Sequence, residues 1–334
     1  MIRSADLRVL FRAAAGPRRG FGHLVRCRSL ARALGVRPLV AVRGGQRVID
    51  TALGLGCDVV KSSGPSVIAK LQPDVVVVDD PITGNASRWI AAARRAGCLV
   101  ISIHDLGLGA LEADLVVDGS VTRTARASRG ETLAGTRYAV LDPKVATLRD
   151  RSDAGLKPCA TGKPCATRVL ISLGGGPRAV LAAAIARAIL RVEPRADVRI
   201  VGGFISGLGD GDQGRITWIN PPRGLGEELA RTDVAVVGGG VSLYEACALG
   251  VPAVGVPVVR AQEPTVKAFA RQRAVLGVPT VGVSADVIAA RAARLLRDAG
   301  LRRRISRKAQ TMVDGRGAAR VAEAIAAMAV RKES

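Results

Sequence analysis

The chain has 334 residues, enough for two domains of ordinary size, each with its own core. Hydrophobic residues make up 48% of it, yet no apolar run approaches the roughly 20 residues that cross a bilayer, which argues against an integral membrane protein. The formal net charge of +22 comes almost wholly from arginine dispersed along the chain. Dispersed arginine is typical of a solvated surface, and attraction of an anionic small substrate is the other interpretation.

Nucleic-acid binding is suggested by the charge alone. Aromatic residues make up 2% of the chain and offer little for stacking bases, so no specific nucleic-acid partner is expected. Of the six cysteines only Cys159 and Cys165 are neighbours, which favours structural thiols over a zinc site or a disulfide, and no metal or cofactor is expected. The N-terminus lacks an apolar secretory core, and we expect a cytoplasmic protein.

The first half alternates short apolar strands with helical patterns. Residues 8–11 are a predicted strand, and a helix follows that ends at Gly35 and has four apolar residues on one face at i, i+3, i+4 and i+7. These residues are Cys27, Leu30, Ala31 and Leu34. Further strands are predicted at 39–42, 59–60, 74–78, 99–103 and 115–117, with a helix at 86–96. Continuously apolar strands separated by helices are typical of a parallel sheet covered on both faces.

The alternation fails near Asp150 and restarts after Thr167, which predicts a linker at 151–167. Beyond it, strands are predicted at 168–173, 197–201, 216–218, 234–237 and 253–256, and helices at 179–192, 243–249, 285–299 and 318–329. We therefore predict an α/β protein of two Rossmann-like domains, 1–150 and 168–312, followed by a C-terminal helix at 313–334. Open sheets of this kind bind ligands at the carboxyl ends of their strands.

A glycine-rich turn, residues 20–23, leads from the first strand into the first helix. Glycines let the backbone approach a ligand closely, and the free amides of a helix start attract phosphate. His23 is expected in the first helical turn, where the helix dipole disfavours imidazolium and leaves the ring able to accept a proton. A single histidine after a glycine is a weak signal, so a structural or capping histidine is the alternative.

A second glycine-rich turn, residues 238–240, again joins a strand to a helix. Ser242 and Glu245 are three residues apart and fit a capping box that satisfies helix amides alone. The same geometry suits a nucleotide, because the glycine amides can meet a diphosphate while Glu245 accepts hydrogen bonds from a ribose diol. The sequence does not decide between these two interpretations.

Three further segments follow apolar strands. The cluster at 172–177 ends the first strand of the second half and fits either a ligand loop or a tight turn. Asp79-Asp80 and His104-Asp105 each follow a strand of the first half, so both pairs are expected at the edge of the crevice. Carboxylates there can orient a histidine or bind sugar hydroxyls, although acidic turn residues are at least as common.

Taken together, these segments resemble the hydrolase of the pseudaminic acid pathway, which removes UDP from UDP-2,4-diacetamido-2,4,6-trideoxy-β-L-altropyranose. That family is similar to the peptidoglycan N-acetylglucosaminyltransferase and has the GT-B fold, in which the sheets of two Rossmann-like domains face a central cleft. The resemblance runs through most of the chain. It covers residues 9–13, 20–23 with Arg26 and Cys27, 105–106, 113–118, 138–141, 171–175, and 239–242 with Glu245.

The resemblance implies a nucleotide-sugar hydrolase that releases UDP from a UDP-activated amino sugar without a metal. His23 is then expected to activate water for attack on the anomeric carbon, and the Ser242–Glu245 turn to hold UDP. The expected catalytic residues are His23, Asp105 and Asp79, with either carboxylate able to orient the imidazole. The expected substrate-binding residues are Arg12, Gly20, Gly22, Arg26, Gly174, Gly175, Gly239, Gly240, Ser242, Glu245 and Gln262.

Two positions depart from the family pattern, and both are expected near the sugar. Pro81 stands where the family tends to have a tyrosine, and Ala261-Gln262 stands where it has asparagine-glutamine. Gln262 can still bond a sugar or phosphate, but the pocket need not fit the same substrate. A GT-B glycosyltransferase with a UDP-sugar donor and a nucleotide-sugar-binding protein without turnover are the alternatives, because the fold is the same whether water or a sugar hydroxyl attacks.

Overall fold

The computed structural model describes residues 6–16, 20–61, 64–104, 110–122, 126–153, 167–174, 178–202, 212–220 and 224–333. The chain divides into two compact units, one comprising Met1–Pro143 with Arg316–Ser334 and the other Lys144–Gly315. This division falls after Pro143 rather than near Asp150. Most of the predicted linker, residues 154–166, lies outside the described part of the chain.

The first unit is built on a parallel sheet. Its described strands are β1 (Val9–Ala14), β2 (Leu39–Arg43), β3 (Asp58–Lys61), β4 (Val75–Asp79), β5 (Leu99–Ile103), β6 (Ala110–Leu111), β7 (Leu115–Asp118), β8 (Arg126–Ala127) and β9 (Glu131–Ala134). Seven of them pair in parallel in the order β3-β2-β1-β4-β5-β7-β9, and β6 pairs with β8. The valine-rich β4 is buried along its whole length, as a central strand covered on both faces requires.

Helices flank this sheet. They are α1 (Gly22–Leu34), α2 (Gln46–Gly54), α3 (Val67–Leu71), α4 (Thr83–Arg95) and, from the end of the chain, α12 (Gly317–Glu333), with a 3₁₀ turn at Thr136–Tyr138. The predicted apolar face of α1 is buried, and the helix ends at Gly35, whose φ of 74° favours glycine. The predicted first helix is therefore confirmed.

The second unit repeats the architecture. Its described strands are β10 (Arg168–Ser172), β11 (Asp197–Val201), β12 (Asp212–Gln213), β13 (Ile216–Ile219), β14 (Val234–Gly238), β15 (Ala253–Val256) and β16 (Leu276–Gly277). Their order is β12-β13-β11-β10-β14-β15-β16, and all pairs are parallel except β12 with β13. Its helices are α5 (Lys144–Asp153), α6 (Ala179–Val192), α7 (Gly226–Ala230), α8 (Val241–Ala248), α9 (Glu263–Arg271), α10 (Ala285–Arg297) and α11 (Ala299–Met312), with a 3₁₀ turn at Arg260–Gln262.

The last helix returns to the first unit. Helix α12 packs against α1, and Arg320 donates a hydrogen bond of 2.8 Å to the carbonyl of Arg137. A β-carbon on Gly317 would lie 2.3 Å from the carbonyl oxygen of Ala139, so this glycine permits the close approach. The C-terminal helix predicted at 313–334 thus belongs to the first unit. Packing between segments far apart in the chain determines this assignment.

Helix α11 was not expected, because cationic side chains interrupt its apolar pattern. Its buried residues are Ile305 and Ala309. The carboxylate of Asp298 accepts a hydrogen bond of 2.7 Å from the backbone N–H of Leu301, which caps the start of the helix. The cap and a narrow buried stripe are sufficient to place the helix against α8 and α10.

Each sheet reverses its winding direction at one point. In the first unit, β1 and β4 are neighbours at the centre of the sheet. The connection from β1 through α1 to β2 leads toward one edge, and the connection from β4 through α4 to β5 leads toward the opposite edge. In the second unit the corresponding pair is β10 and β14. Loops that leave such a pair diverge to opposite faces of the sheet and open a crevice at the carboxyl ends of the strands. Both predicted glycine turns that follow β1 and β14 lie at these switch points.

Candidate active site

His23 lies at the switch point of the first sheet. Helix α1 begins at Gly22 after the N-cap residue Phe21, so His23 occupies the first helical turn as predicted. Gly16 and Gly20 exchange backbone hydrogen bonds of 3.1 and 2.7 Å, which bring the chain back toward the end of β1 before the helix begins. The φ of Gly20 is 78°, a conformation that favours glycine.

Asp79, the last residue of β4, joins His23 and Arg26 in one group. Its Oδ1 lies 2.7 Å from Nδ1 of His23, and the carboxylate is 1% exposed. Arg26 reaches the same carboxylate with both arms of its guanidinium, Nε to Oδ2 at 2.9 Å and a terminal nitrogen to Oδ1 at 2.7 Å. Asp79 therefore orients the imidazole, as one of the two carboxylates expected to do so. The other, Asp105, lies outside the described residues.

The charge on Asp79 fixes the proton on His23. Burial acts to raise the pKa of the Asp79 carboxyl, but the charges of Arg26 and His23 and the hydrogen bonds from both side chains outweigh it, and the pKa lies below its ordinary value of 3.8. An ionised Oδ1 at 2.7 Å from Nδ1 requires a proton between the two atoms. A neutral imidazole that donates from Nδ1 to this carboxylate keeps its free lone pair on Nε2.

Arg12 and Arg26, both expected from the sequence to bind substrate, each pair with a buried carboxylate. The side chain of Arg12 is 3% exposed, pairs with Asp80 at 3.2 Å and lies 5.3 Å from the ring centre of Trp89. Arg26 donates two hydrogen bonds to Asp79 and also lies 2.8 Å from Nδ1 of His23. Both guanidiniums are held inside the unit by carboxylates, and buried arginines are usually paired in this way.

The glycine turn of the second unit leads from β14 into α8. The N-cap residue of α8 is Gly240, and no side chain caps the helix. Ser242 therefore lies inside the first turn, and the capping-box interpretation of Ser242 and Glu245 is wrong. A β-carbon on Gly239 would lie 2.7 Å from Val266, so this position accepts glycine alone without repacking.

Gln262 lies beside the same turn. Its Oε1 accepts a hydrogen bond of 3.0 Å from the backbone N–H of Val258, which directs the amide toward the glycines. A β-carbon on Gly240 would lie 3.4 Å from Nε2 of Gln262. Gly239, Gly240 and Gln262, each expected from the sequence to bind substrate, are therefore neighbours in the structure. Glu245 is buried in the second turn of α8, and Ser242 is half-buried.

The end of β10 forms the other side of this switch point. Gly174 has a φ of 89° and is exposed, while Gly175 lies outside the described residues. A β-carbon on Gly238 would lie 3.4 Å from the carbonyl carbon of Leu173, so the two turns are neighbours. A cavity of about 270 Å³ opens at the same edge of the sheet. Its walls are largely apolar, with Leu181 and Pro257 among them, and Arg178 and Thr280 supply the polar groups.

Metal ligands and reactive thiols are not features of the described residues. No group of three or more histidines, cysteines, aspartates or glutamates is placed there to hold a metal ion. The four described cysteines are free and buried, and burial raises the pKa of Cys57 to about 11. Cys159 and Cys165 lie outside the described part of the chain. No helix in the described ranges combines the length and apolar character needed to cross a membrane.

Comparison with known proteins places the fold. The chain matches no protein-family model. Over 94 residues, 28% of each chain, it is 34% identical to the spore coat polysaccharide biosynthesis protein SpsG of Bacillus subtilis strain 168. The match therefore spans little more than a quarter of that relative.

Solved structures cover nearly the whole chain. The spinosyn forosaminyltransferase SpnP has 17% identity and a TM-score of 0.62 over 96% of this chain and 100% of its own. MurG of Acinetobacter baumannii has 15% identity and a TM-score of 0.62 over 95% and 99%. The glycosyltransferase SsfS6 of Streptomyces sp. SF2575, complexed with thymidine diphosphate, has 15% identity and a TM-score of 0.61 over 96% and 99%.

Two of these three neighbours, SpnP and SsfS6, are named as sugar transferases. Identities this low establish architecture alone. The predicted fold class is confirmed: the chain has the α/β GT-B fold, with one largely parallel sheet in each of its two units.

Proposed function

We propose that the protein is a glycosyltransferase that takes a sugar from a nucleotide-sugar donor and passes it to an acceptor hydroxyl, with His23 as the base. The observation that carries this proposal is the hydrogen bond of 2.7 Å between Nδ1 of His23 and the buried carboxylate of Asp79. It sets up a histidine whose Nε2 can accept a proton and whose resulting positive charge has an anionic partner.

The chemical step follows from that arrangement. Nε2 of His23 takes the proton from the acceptor hydroxyl while its oxygen forms a bond to the anomeric carbon of the donor. The bond between that carbon and the diphosphate oxygen breaks, and the electron pair leaves with the nucleoside diphosphate. Asp79 remains ionised throughout, because it stabilises the imidazolium through the Nδ1 hydrogen bond.

The second unit supplies groups suited to the donor. Backbone amides at the start of α8 and the glycines before it can face a diphosphate, and the positive end of the helix dipole favours that charge. Gln262 holds its amide beside these glycines, where Nε2 can donate to a sugar or phosphate oxygen. Glu245 remains our candidate for the ribose hydroxyls. The net charge of +22 favours an anionic donor of this kind.

The nucleotide and the acceptor define the test. UDP is the nucleotide implied by the family resemblance, and one structural neighbour is complexed with thymidine diphosphate. A panel of UDP- and TDP-sugars is incubated with the protein with and without added sugar acceptors, and nucleotide release is followed. Transfer predicts release that depends on acceptor and is lost in His23→Gln.

The same reaction in ¹⁸O-labelled water separates transfer from hydrolysis. Transfer leaves the label out of the glycoside product. Label in the free sugar, at a rate that added acceptors do not change, would mean that water is the substrate. Label in the nucleotide would place the attack at phosphorus and overturn the mechanism.

A further inference from the structure

Arg26 lies one helical turn after His23 and reaches the same carboxylate. Its two contacts with Asp79 form a fork, with distances of 2.9 and 2.7 Å. The nitrogen that contacts Oδ1 also lies 2.8 Å from Nδ1 of His23. Three polar atoms, one each from Arg26, Asp79 and His23, thus lie within 2.8 Å of one another.

These three atoms leave His23 a choice of two protonation patterns. The Arg26 nitrogen always carries hydrogen, and an ionised Oδ1 never does. Nδ1 of His23 can donate to Oδ1, which leaves Nε2 free as a base. It can instead accept a hydrogen from Arg26, which moves the ring proton to Nε2 and removes the base. The first pattern avoids two lone pairs that face each other across 2.7 Å and instead places two N–H groups 2.8 Å apart, both able to donate to Oδ1.

We propose that Arg26 is a positioning residue that keeps the reactive nitrogen of His23 unprotonated by holding Asp79 as an oriented anion. The carboxylate is 1% exposed, so water does little to stabilise its charge, and Arg26 is the cation in direct contact with it. Loss of that cation removes the largest influence that lowers the pKa of Asp79, whereas burial acts to raise it. A neutral Asp79 would donate its own proton to Nδ1 and force the ring proton onto Nε2.

The alternative response to losing Arg26 has the same consequence. If Asp79 stays ionised, a negative charge at 2.7 Å and the absence of the neighbouring guanidinium both favour imidazolium, which again carries a proton on Nε2. Either response therefore disables the base. For its effect on turnover this inference rests on the proposed function, but the protonation pattern of the resting protein does not depend on it.

A second buried pair provides a matched control. Arg12 and Asp80 are as deeply buried as Arg26 and Asp79, and Asp80 is the next residue along the chain. Arg12 lies against Trp89 and donates hydrogen bonds to Asp80 and to the backbone carbonyls of Ala13 and Ala41. Arg12→Gln therefore serves as the control for the loss of a buried arginine that pairs with a carboxylate at the end of β4.

The experiment is ¹⁵N NMR of the full-length protein with labelled histidine. The chain has two histidines, so two rings are observed, and His23→Gln assigns them. Near neutral pH the native His23 is expected to show Nδ1 protonated and Nε2 unprotonated. In Arg26→Gln the Nε2 signal should move to the protonated range. It should stay unprotonated in Arg12→Gln and in Arg26→Lys, which preserves the positive charge.

Turnover provides the second measurement. Arg26→Gln is expected to lower kcat within the range of about 10²–10⁴-fold that a general base contributes, with little change in KM. Arg26→Lys should recover part of the loss. The proposal is overturned if Nε2 stays unprotonated in Arg26→Gln. It is also overturned if the native His23 already carries its proton on Nε2. That measurement needs only the native protein, so it can be made even if Arg26→Gln does not fold. If the Nε2 signal of Arg26→Gln moves to the protonated range but turnover is normal, His23 is not the catalytic base.

Discussion

The two switch points occupy equivalent places in their sheets but are built from different chemistry. The first carries charged side chains, His23, Asp79 and Arg26, with the carboxylate almost fully buried. The second carries glycines 238–240 and a neutral amide, Gln262. The buried ion pair holds the imidazole in one orientation, and a base must be oriented toward the proton that it accepts. Glycines and helix amides bind an anion with main-chain N–H groups and need no charged side chain in contact with it.

The largest effect is expected on kcat when His23, the proposed base of the first switch point, is replaced. His23→Gln should lower kcat by about 10²–10⁴-fold and leave the dissociation constant of the nucleoside diphosphate nearly unchanged, since binding is assigned to the other unit. Initial rates and isothermal titration calorimetry measure the two quantities. Parallel losses in rate and affinity would show that His23 contacts the nucleotide rather than the acceptor.

The next effect concerns stability and its dependence on pH. Asp79→Asn leaves Arg26 buried without its anion, which should lower the free energy of unfolding at neutral pH by about 3–5 kcal/mol. The folded-state pKa of Asp79 is depressed, so its contribution is fully present above the ordinary value of 3.8 and is lost as pH falls through the folded value. The gap between native and variant proteins should therefore narrow below about pH 4 in urea denaturation.

Asp74→Asn is the control for that measurement. Asp74 precedes the same strand, and its pKa is also lowered, chiefly by a hydrogen bond from Arg8. The arginine of this pair is 64% exposed, and surface pairs of this kind contribute roughly 0–1 kcal/mol. If Asp74→Asn destabilised the protein as much as Asp79→Asn, the argument from burial would fail.

A smaller effect is expected at the second switch point. If Glu245 accepts hydrogen bonds from the ribose diol, Glu245→Gln should weaken UDP binding by about 1.5–3 kcal/mol. The loss should be smaller for 2′-deoxy-UDP, which lacks one of the two hydroxyls. Calorimetry with both nucleotides makes the test. Equal losses for the two would remove Glu245 from the ribose and leave it a buried residue of α8.

The smallest effects on stability and UDP affinity are expected for alanine substitutions of Gly239 and Gly174, which lie at the same edge of the second sheet. Gly239→Ala places a β-carbon 2.7 Å from Val266 and 3.0 Å from Gln262, an overpacking that should cost about 1–3 kcal/mol of stability and displace the Gln262 amide. Gly174→Ala meets open space and costs the strain of a φ of 89° alone. Thermal unfolding and UDP affinity should both fall in Gly239→Ala, whereas affinity should hold in Gly174→Ala. The reverse order would place the phosphates at Gly174.

The sequence predicted the elements whose pattern is local. Valine-rich runs such as 75–78 must be buried on both faces, and the strands they predict are present. The glycine turns into α1 and α8 were visible because glycine permits backbone conformations and close approaches that other residues rarely adopt. Helix α11 was missed since its buried stripe is narrow and cations fill the rest of its surface. Its cap at Asp298 was the signal that could have found it.

Tertiary structure decided the partners. From sequence, either Asp79 or Asp105 could orient His23, and Arg26 could equally face a substrate, because nothing local states which side chains meet. The alignment of β4 beside β1 brings Asp79 to the first turn of α1, and Arg26 then closes the fork. The placement of α12 on α1 is decided in the same way. Residue type and spacing determined what each segment can form, whereas contacts between segments far apart in the chain, which burial of apolar surface drives, determined which charges neutralise one another.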